Sequence, residues 1–152
     1  MIGWEHEAYH AVRNTLARYT WCGDFADEEG FVSLFTKDAV LSIKGGEVFE
    51  GHAGIRQLVN GADSTRGPGE RTTRGPLRHH VSSIRIEIES KILARAWSYF
   101  INLGPHGLDH WGRYADELVP DGDQWLFKRR RVSIDGASSN SLLFPNGPPS
   151  GE

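Results

Sequence analysis

The residues with acid–base chemistry to offer sit in two places. One is the stretch Arg18 to Ala39, RYTWCGDFADEEGFVSLFTKDA, which carries Tyr19 and the aspartates Asp24, Asp27 and Asp38. The other is the doublet His79-His80, at the opening of an alternating run. A histidine titrates near pH 6.5, so it takes or gives a proton at neutral pH at little cost. A carboxylate beside it fixes its tautomer and stabilises the imidazolium as it forms. A base positioned this way contributes roughly 10²–10⁴-fold to a rate. Tyr19 offers a hydroxyl that can donate to a substrate carbonyl or a leaving hydroxyl. An apolar wall of Phe35, Trp97 and Tyr99 would exclude water and strengthen each polar contact inside.

Each of these residues also has a plainer reading. Asp27 precedes Glu28 and Glu29 and reads as the cap of a short helix. Asp38 reads as a turn former ahead of a strand. Asp24 is either the partner of a histidine or a second cap. Tyr19 is either a donor or a core ring whose hydroxyl finds one partner. Simple alternation puts His80, not His79, on the face of Ile84, Ile86 and Ile88.

The elements that must position these residues follow from periodicity. Ala8, Val12, Leu16 and Tyr19 recur at steps of three or four, which predicts a helix from about Glu5 to Trp21, ended by Gly23. A short helix follows over Glu28 to Phe35, then a strand over Ala39 to Ile43, a Gly45-Gly46 turn and a return strand over Glu47 to Glu50. Gly51 to Asn60 reads as a third helix. Gly61 to Gly75, poor in apolar residues, reads as a long surface loop. Strands are then expected over Arg78 to Glu89, Leu93 to Leu103, Asp109 to Val119 and Gln124 to Ile134, with Asp121-Gly122-Asp123 as a tight hairpin. Residues from Gly136 onward read as a tail whose Leu142-Leu143-Phe144 triplet packs on the body or on a neighbouring subunit. Helices segregated from strands predict an α+β fold. A strongly curved sheet wrapped on the first helix would leave a cone with one open end, a natural ligand cavity.

The whole chain narrows the field of functions. It has 152 residues and a net charge of −3, which gives no global attraction to nucleic acid or an anionic membrane. The run Lys128 to Arg131 lies on a strand, where its members alternate between faces. The single cysteine, Cys22, fits a reducing cytoplasm, and no signal peptide or bilayer-spanning run is visible. His52, His106, Asp109 and His110 match no standard metal spacing, so neither a metal nor a cofactor is expected.

The run RYxxxxDxxDxxxFxxLFTxDA, the G-x-x-x-I helix from Gly51 to Ile55, RHHVSSIRIEI, WGRY and DGDQWLFKRRRV, in that order, resemble the SnoaL-like branch of the NTF2-like superfamily. The resemblance covers about Val12 to Asp135. It implies one cone-shaped domain over residues 1–135 and a tail over 136–152. It also implies kinship with scytalone dehydratase, bile acid 7α-dehydratase, hexachlorocyclohexane dehydrochlorinase and polyketide cyclases. Several of those lyases use an Asp–His pair at the floor of the cone. In two of them the aspartate stands at the turn after the first helix, where Asp24 stands here, and a polar residue often stands five positions earlier, the place of Tyr19. Their histidine opens a strand five residues before its first aliphatic, which implies His79. A bulge near Val81 would reconcile that with the alternation. Arg130 stands where relatives often keep an arginine and would bind an acidic substrate group or a structural carboxylate.

Two classes of function follow. The first is a cofactor-independent lyase, dehydratase, isomerase or cyclase acting on a small, mostly apolar cyclic molecule through Asp24, His79 and Tyr19, with Phe35, Trp97, Tyr99 and Arg130 around the substrate. The second is a non-catalytic binding or structural subunit, like the small subunits of ring-hydroxylating dioxygenases. Either way a homo-oligomer, trimer or dimer, is expected. The outer sheet face needs cover, and Val81, Phe100 and Val119 read as apolar residues on it.

Overall fold

The computed structural model describes residues 1–61 and 77–151. Helix α1 runs Gly3–Asp24, and Ala8, Val12, Thr15, Leu16 and Cys22 form its buried stripe. Gly23 does not end it. The helix carries on through Asp24, and the chain reverses at Phe25 and at Ala26, whose φ is 55°. Helix α2, Glu28–Val32, is capped by Asp27, whose side chain accepts from Gly30 N at 2.9 Å. It is shorter than expected, and Phe35 opens strand β1, Phe35–Ile43, instead of closing α2. A turn with Gly45 at φ 72° leads to β2, Val48–Glu50, and then to α3, Gly51–Gly61. Apart from Gly61, which ends α3, the loop expected over Gly61 to Gly75 lies outside the described residues.

The second half is four long strands: β3 Arg78–Ser90, β4 Leu93–Gly104, β5 Gly107–Asp121 and β6 Gln124–Ala137. The six strands form one sheet in the order β2-β1-β6-β5-β4-β3. The β1–β6 pair is parallel and the other neighbours are antiparallel, so the sheet is mixed, within the α+β class that the sequence predicts. Helix α1 packs on the inner face against β3 and β6. Its Thr15 hydroxyl donates to Trp125 O at 2.5 Å, which ties the helix to the far strand. The core gathers Leu34, Phe35, Leu41, Ile55, Leu118 and Phe127, all essentially unexposed. Each such side chain contributes roughly 1.5–3 kcal/mol through removal from water.

Three irregularities in the strands set which residues face inward. On β3 the pairing slips between Ser82 and Arg85, with Ser83 at φ 50°. On β5, Asp109 is the extra residue between Leu108 and His110. On β6, Lys128 is the extra residue between Phe127 and Arg129. Each is a bulge that reverses the inside–outside parity of its strand. Strand β6 also runs past residue 135, and beyond it the tail folds back onto the body. There Ser141 is buried and the Phe144 ring meets His110 at 4.8 Å.

Candidate functional site

Asp24 and His79 meet where the end of α1 crosses the start of β3. His79 Nδ1 lies 2.7 Å from Asp24 Oδ1, and the His79 backbone N–H donates to Asp24 Oδ2 at 3.0 Å. One carboxylate therefore fixes both the ring and the backbone of the histidine. The Asp24 side chain is 6% exposed and that of His79 27%, so the carboxylate sits behind the imidazole and the imidazole reaches solvent. The bulge at Ser83 makes this possible. His79 and Val81 face inward before it, Ile84, Ile86 and Ile88 after it, and His80 is exposed. On the other side of the ring, Asn102 Nδ2 stands 3.3 Å from His79 Nε2. With Nδ1–H donated to Asp24, Nε2 carries the lone pair.

A second histidine stands close by, which the sequence offered as a member of a metal-like cluster and as a residue able to reach the mouth of the cone. His110 is 3% exposed, and its ring centroid lies 6.2 Å from that of His79. Its Nδ1 is 2.7 Å from Asp109 Oδ2. Asp109 is fully buried and also meets His106 Nε2 at 2.9 Å, Ser141 Oγ at 2.8 Å and Leu142 N at 2.6 Å. Burial pushes the Asp109 carboxyl up, but the Leu142, His110, Ser141 and His106 hydrogen bonds outweigh it and hold it at about 2. The adjacent pair Asp109-His110 hid itself in the sequence, because neighbours on a regular strand point to opposite faces.

The closed end of the cone is filled. Arg130 is 2% exposed and donates to both oxygens of Asp116, from Nε at 2.9 Å and Nη2 at 3.1 Å. Its guanidinium lies between the rings of Tyr19 (3.9 Å) and Tyr114 (3.8 Å), with Phe127 at 4.5 Å. Burial lifts the Asp116 carboxyl to about 6, and Arg130 opposes that lift. Arg130 thus holds a structural carboxylate. Only its Nη1 is left without a partner among the described residues. Tyr19 is half-buried against Phe31, Phe35, Tyr114 and Phe127, and burial raises its hydroxyl. Phe35 belongs to that ring cluster and is core, 1% exposed.

Trp97 and Tyr99 do not wall the cavity. Ala94, Ala96, Ser98, Phe100 and Asn102 are the buried residues of β4, so Trp97 and Tyr99 point to the outer face. Tyr99 is 56% exposed, and Trp97 lies under Arg85 and lines an outer groove with Arg95, Arg129 and Arg131. Phe100 and Val81, expected outside, are inside. The inner wall beside the histidines is Phe100, which stacks on Tyr114 at 4.5 Å and lies 5.9 Å from His79. A cleft of about 260 Å³ opens between α1 and β3, lined by Leu16, Ala17, Thr20, Trp21, Val81 and Ile84 with Arg13 at its edge. Thr20 is one helical turn before Asp24 and Val81 is two strand residues after His79, so the cleft is the next step along both elements.

Among the described residues no group of three or more His, Cys, Asp or Glu is disposed to hold a metal ion, and no helix is long and apolar enough to cross a membrane.

No curated protein matches the sequence. Solved structures do. A hexachlorocyclohexane dehydrochlorinase, LinA-type3, from Novosphingobium barchaimii superposes with a TM-score of 0.70 at 18% identity, over 86% of this chain and 88% of that one. ActVI-ORFA from Streptomyces coelicolor gives 0.70 at 20% identity, over 84% and 97%. A protein of unknown function with a cystatin-like fold from Nostoc punctiforme gives 0.71 at 19%, over 89% and 94%. Identities this low carry the fold and not the reaction. The family rests on the sequence itself: residues 4–131 match the SnoaL-like domain, and the chain belongs to that family.

Proposed function

We propose that the chain is an acid–base catalyst, a lyase or isomerase acting on a small, mostly apolar cyclic molecule, with His79 as the base and Asp24 as its positioning carboxylate. The single observation that carries this is the geometry of the pair: a shielded carboxylate 2.7 Å behind an imidazole that reaches solvent beside an apolar cleft. His79 Nε2 would take a proton from a carbon next to a carbonyl or leaving group. The C–H electron pair then forms the double bond, and the leaving group departs with its own pair. Such a step moves a proton and needs no electron carrier. Tyr19 would polarise the carbonyl. Leu16, Val81 and Ile84 favour an apolar ring, and the Thr20 hydroxyl and the Arg13 guanidinium are the polar groups that line the cleft away from the histidine. A structural neighbour is named a dehydrochlorinase, and that reaction also pairs loss of a proton with loss of a leaving group.

The test is turnover of a panel of cyclic hydroxyketones and halides by the wild-type protein, His79→Ala and Asp24→Asn. His79→Ala is expected to lower kcat by roughly 10²–10⁴-fold, with Asp24→Asn in the same range because the tautomer is lost. Turnover unchanged in both variants would overturn the assignment and leave a ligand-binding domain.

A further inference from the structure

We propose that Arg13 makes the cleft between α1 and β3 an acid-binding site, one that takes an elongated apolar molecule with a carboxylate at the end remote from His79. The consequence for the reaction rests on the reading of His79 as the base; the binding itself does not. The two elements run in opposite directions. Asp24 at the end of α1 meets His79 at the start of β3. Trp4, near the start of α1, meets Lys91, just past the end of β3, with the ammonium 5.7 Å from the ring centroid. Moving back along α1 from Asp24 therefore leads forward along β3 from His79. Asp24, Thr20, Ala17 and Arg13 fall at steps of three or four, so they share one side of the helix. Val81 and, past the bulge, Ile84 stand across the cleft from them. The cleft thus lies between two polar ends, the Asp24–His79 pair and the Arg13 guanidinium, with apolar walls along its length.

Arg13 is placed and unoccupied for this role. Its helical neighbours three and four positions away are Tyr9, His10, Leu16 and Ala17, none of them a carboxylate. Among the described residues it makes no ion pair and no hydrogen bond. That sets it apart from Arg56, Arg95, Arg113 and Arg130, each of which holds a glutamate or aspartate within 3.0 Å. No acidic residue lines the cleft, so nothing there competes with a ligand for the guanidinium. Its planar fork of donors matches the two oxygens of a carboxylate. Between the two ends, the Thr20 hydroxyl is buried without a partner among the described residues. It borders the cleft, and rotation about χ1 would turn it to a ligand oxygen and satisfy it. At 1.5 Å of rise per residue, Arg13 stands about 10 Å along the helix from Thr20 and about 16 Å from Asp24. A ligand whose ring lies against Leu16, Val81 and Ile84 and whose carboxylate meets Arg13 therefore points its other end at His79. Arg13 would act as a positioning residue, choosing acids and setting which end of them is presented to the base.

Methyl NMR on the full-length protein at about pH 8, where an ordinary histidine is neutral, tests this without a substrate. The probes are naphthalene-2-carboxylate and naphthalene-2-carboxamide, which share a ring system and differ in charge. Both should shift the Leu16, Val81 and Ile84 methyl signals, and at low salt the carboxylate should bind about five-fold more tightly. In Arg13→Gln the two probes should bind alike, and in the wild type about 0.5 M salt should remove most of the preference. Equal affinities in the wild type, or a preference that survives Arg13→Gln, would overturn the proposal. The salt series reads the unmutated protein, so it stands even if the variant is perturbed. The kinetic counterpart adds to the panel above cyclic acids and their methyl esters. Arg13→Gln should raise KM for the acids about five-fold, with kcat and the esters little changed, because a contact to the non-reacting end is made alike in ground and transition state. An equal change for acids and esters would mean that Arg13 acts only through the fold, and the proposal would be wrong. Unchanged turnover in His79→Ala and Asp24→Asn would overturn the earlier reading instead, and the carboxylate preference of the cleft would still be decided by Arg13→Gln.

Discussion

Asp24 and Asp109 face the same problem, an aspartate that must stay ionised while it grips an imidazole, and they meet it with different amounts of help. Asp24 has the ring and the backbone N–H of His79. Asp109 has four donors, which hold its carboxyl at about 2 against the pull of burial. That value lies below the ordinary aspartate range of the unfolded chain, so the folded state favours the ionised form. The resulting stability is fully present above about pH 4 and is lost as the pH falls through about 2. The span corresponds to roughly 2 kcal/mol. Urea unfolding at steps from pH 6 to pH 2 should therefore show the gap between wild type and Asp109→Asn narrowing by about that amount. A constant gap would mean that Asp109 is not held low. The sequence offered Asp109 and His110 as members of a metal-like cluster, and His110 as able to reach the mouth of the cone, but not as a pair, because nothing in a linear reading shows a tail serine and a tail amide converging on one carboxylate.

At the scale of elements, helices, strands and tight turns were legible, and what was not legible was parity. Three bulges decide which side chains face the cavity, and each sits beside a residue that matters: Ser83 for His79, Asp109 for His110, Lys128 for Arg130. A period-two pattern shows that a strand exists but not where an extra residue slips in. On β4 the error had a different cause. Its inward positions Ala94, Ala96 and Ser98 are small although fully buried, so the large Trp97 and Tyr99 looked like the core face. Ser83 pays for its bulge with a left-handed backbone at φ 50°. A β-branched residue there should be strained, and Ser83→Val is expected to unfold at lower urea than Ser83→Gly, by about 1–2 kcal/mol. His79 should leave Asp24 in the valine variant if the bulge is what aims it, and the imidazole Nδ1 signal would report that. Equal stability of the two variants would show that the bulge is held by its neighbours and not by this backbone angle.

For the molecule as a whole, the outer sheet face decides what the chain does in company. Its arginines are largely spoken for, Arg95 by Glu89 at 3.0 Å, Arg113 by Asp135 at 3.0 Å and Arg129 by Glu117 at 3.8 Å, which leaves little of the single-signed field that nucleic acid would need. Apolar residues stand among these pairs. Tyr99, Ile101, Val48 and Trp111 are all more than a third exposed, and Ile101 and Trp111 face each other across β4 and β5. Trp111 lies against Gly136, where an added Cβ would come within 2.1 Å of the indole, so the glycine makes room for the ring. Flat aromatic and aliphatic groups between matched charges make a surface suited to a second copy of itself, and they match interface cores better than solvated rims. We therefore expect sedimentation at micromolar concentration to show a dimer or a trimer. Tyr99→Lys with Ile101→Lys, both outward on β4 and away from the histidines, should shift the protein towards monomer by placing unpaired charges in that contact. A wild-type monomer across that range would remove the claim. An assembly indifferent to the two lysines would move the interface elsewhere, to the helical side of the cone. In that case the cleft between α1 and β3, with Trp21 66% exposed at its edge, would be the surface in question and access to His79 would depend on the partner.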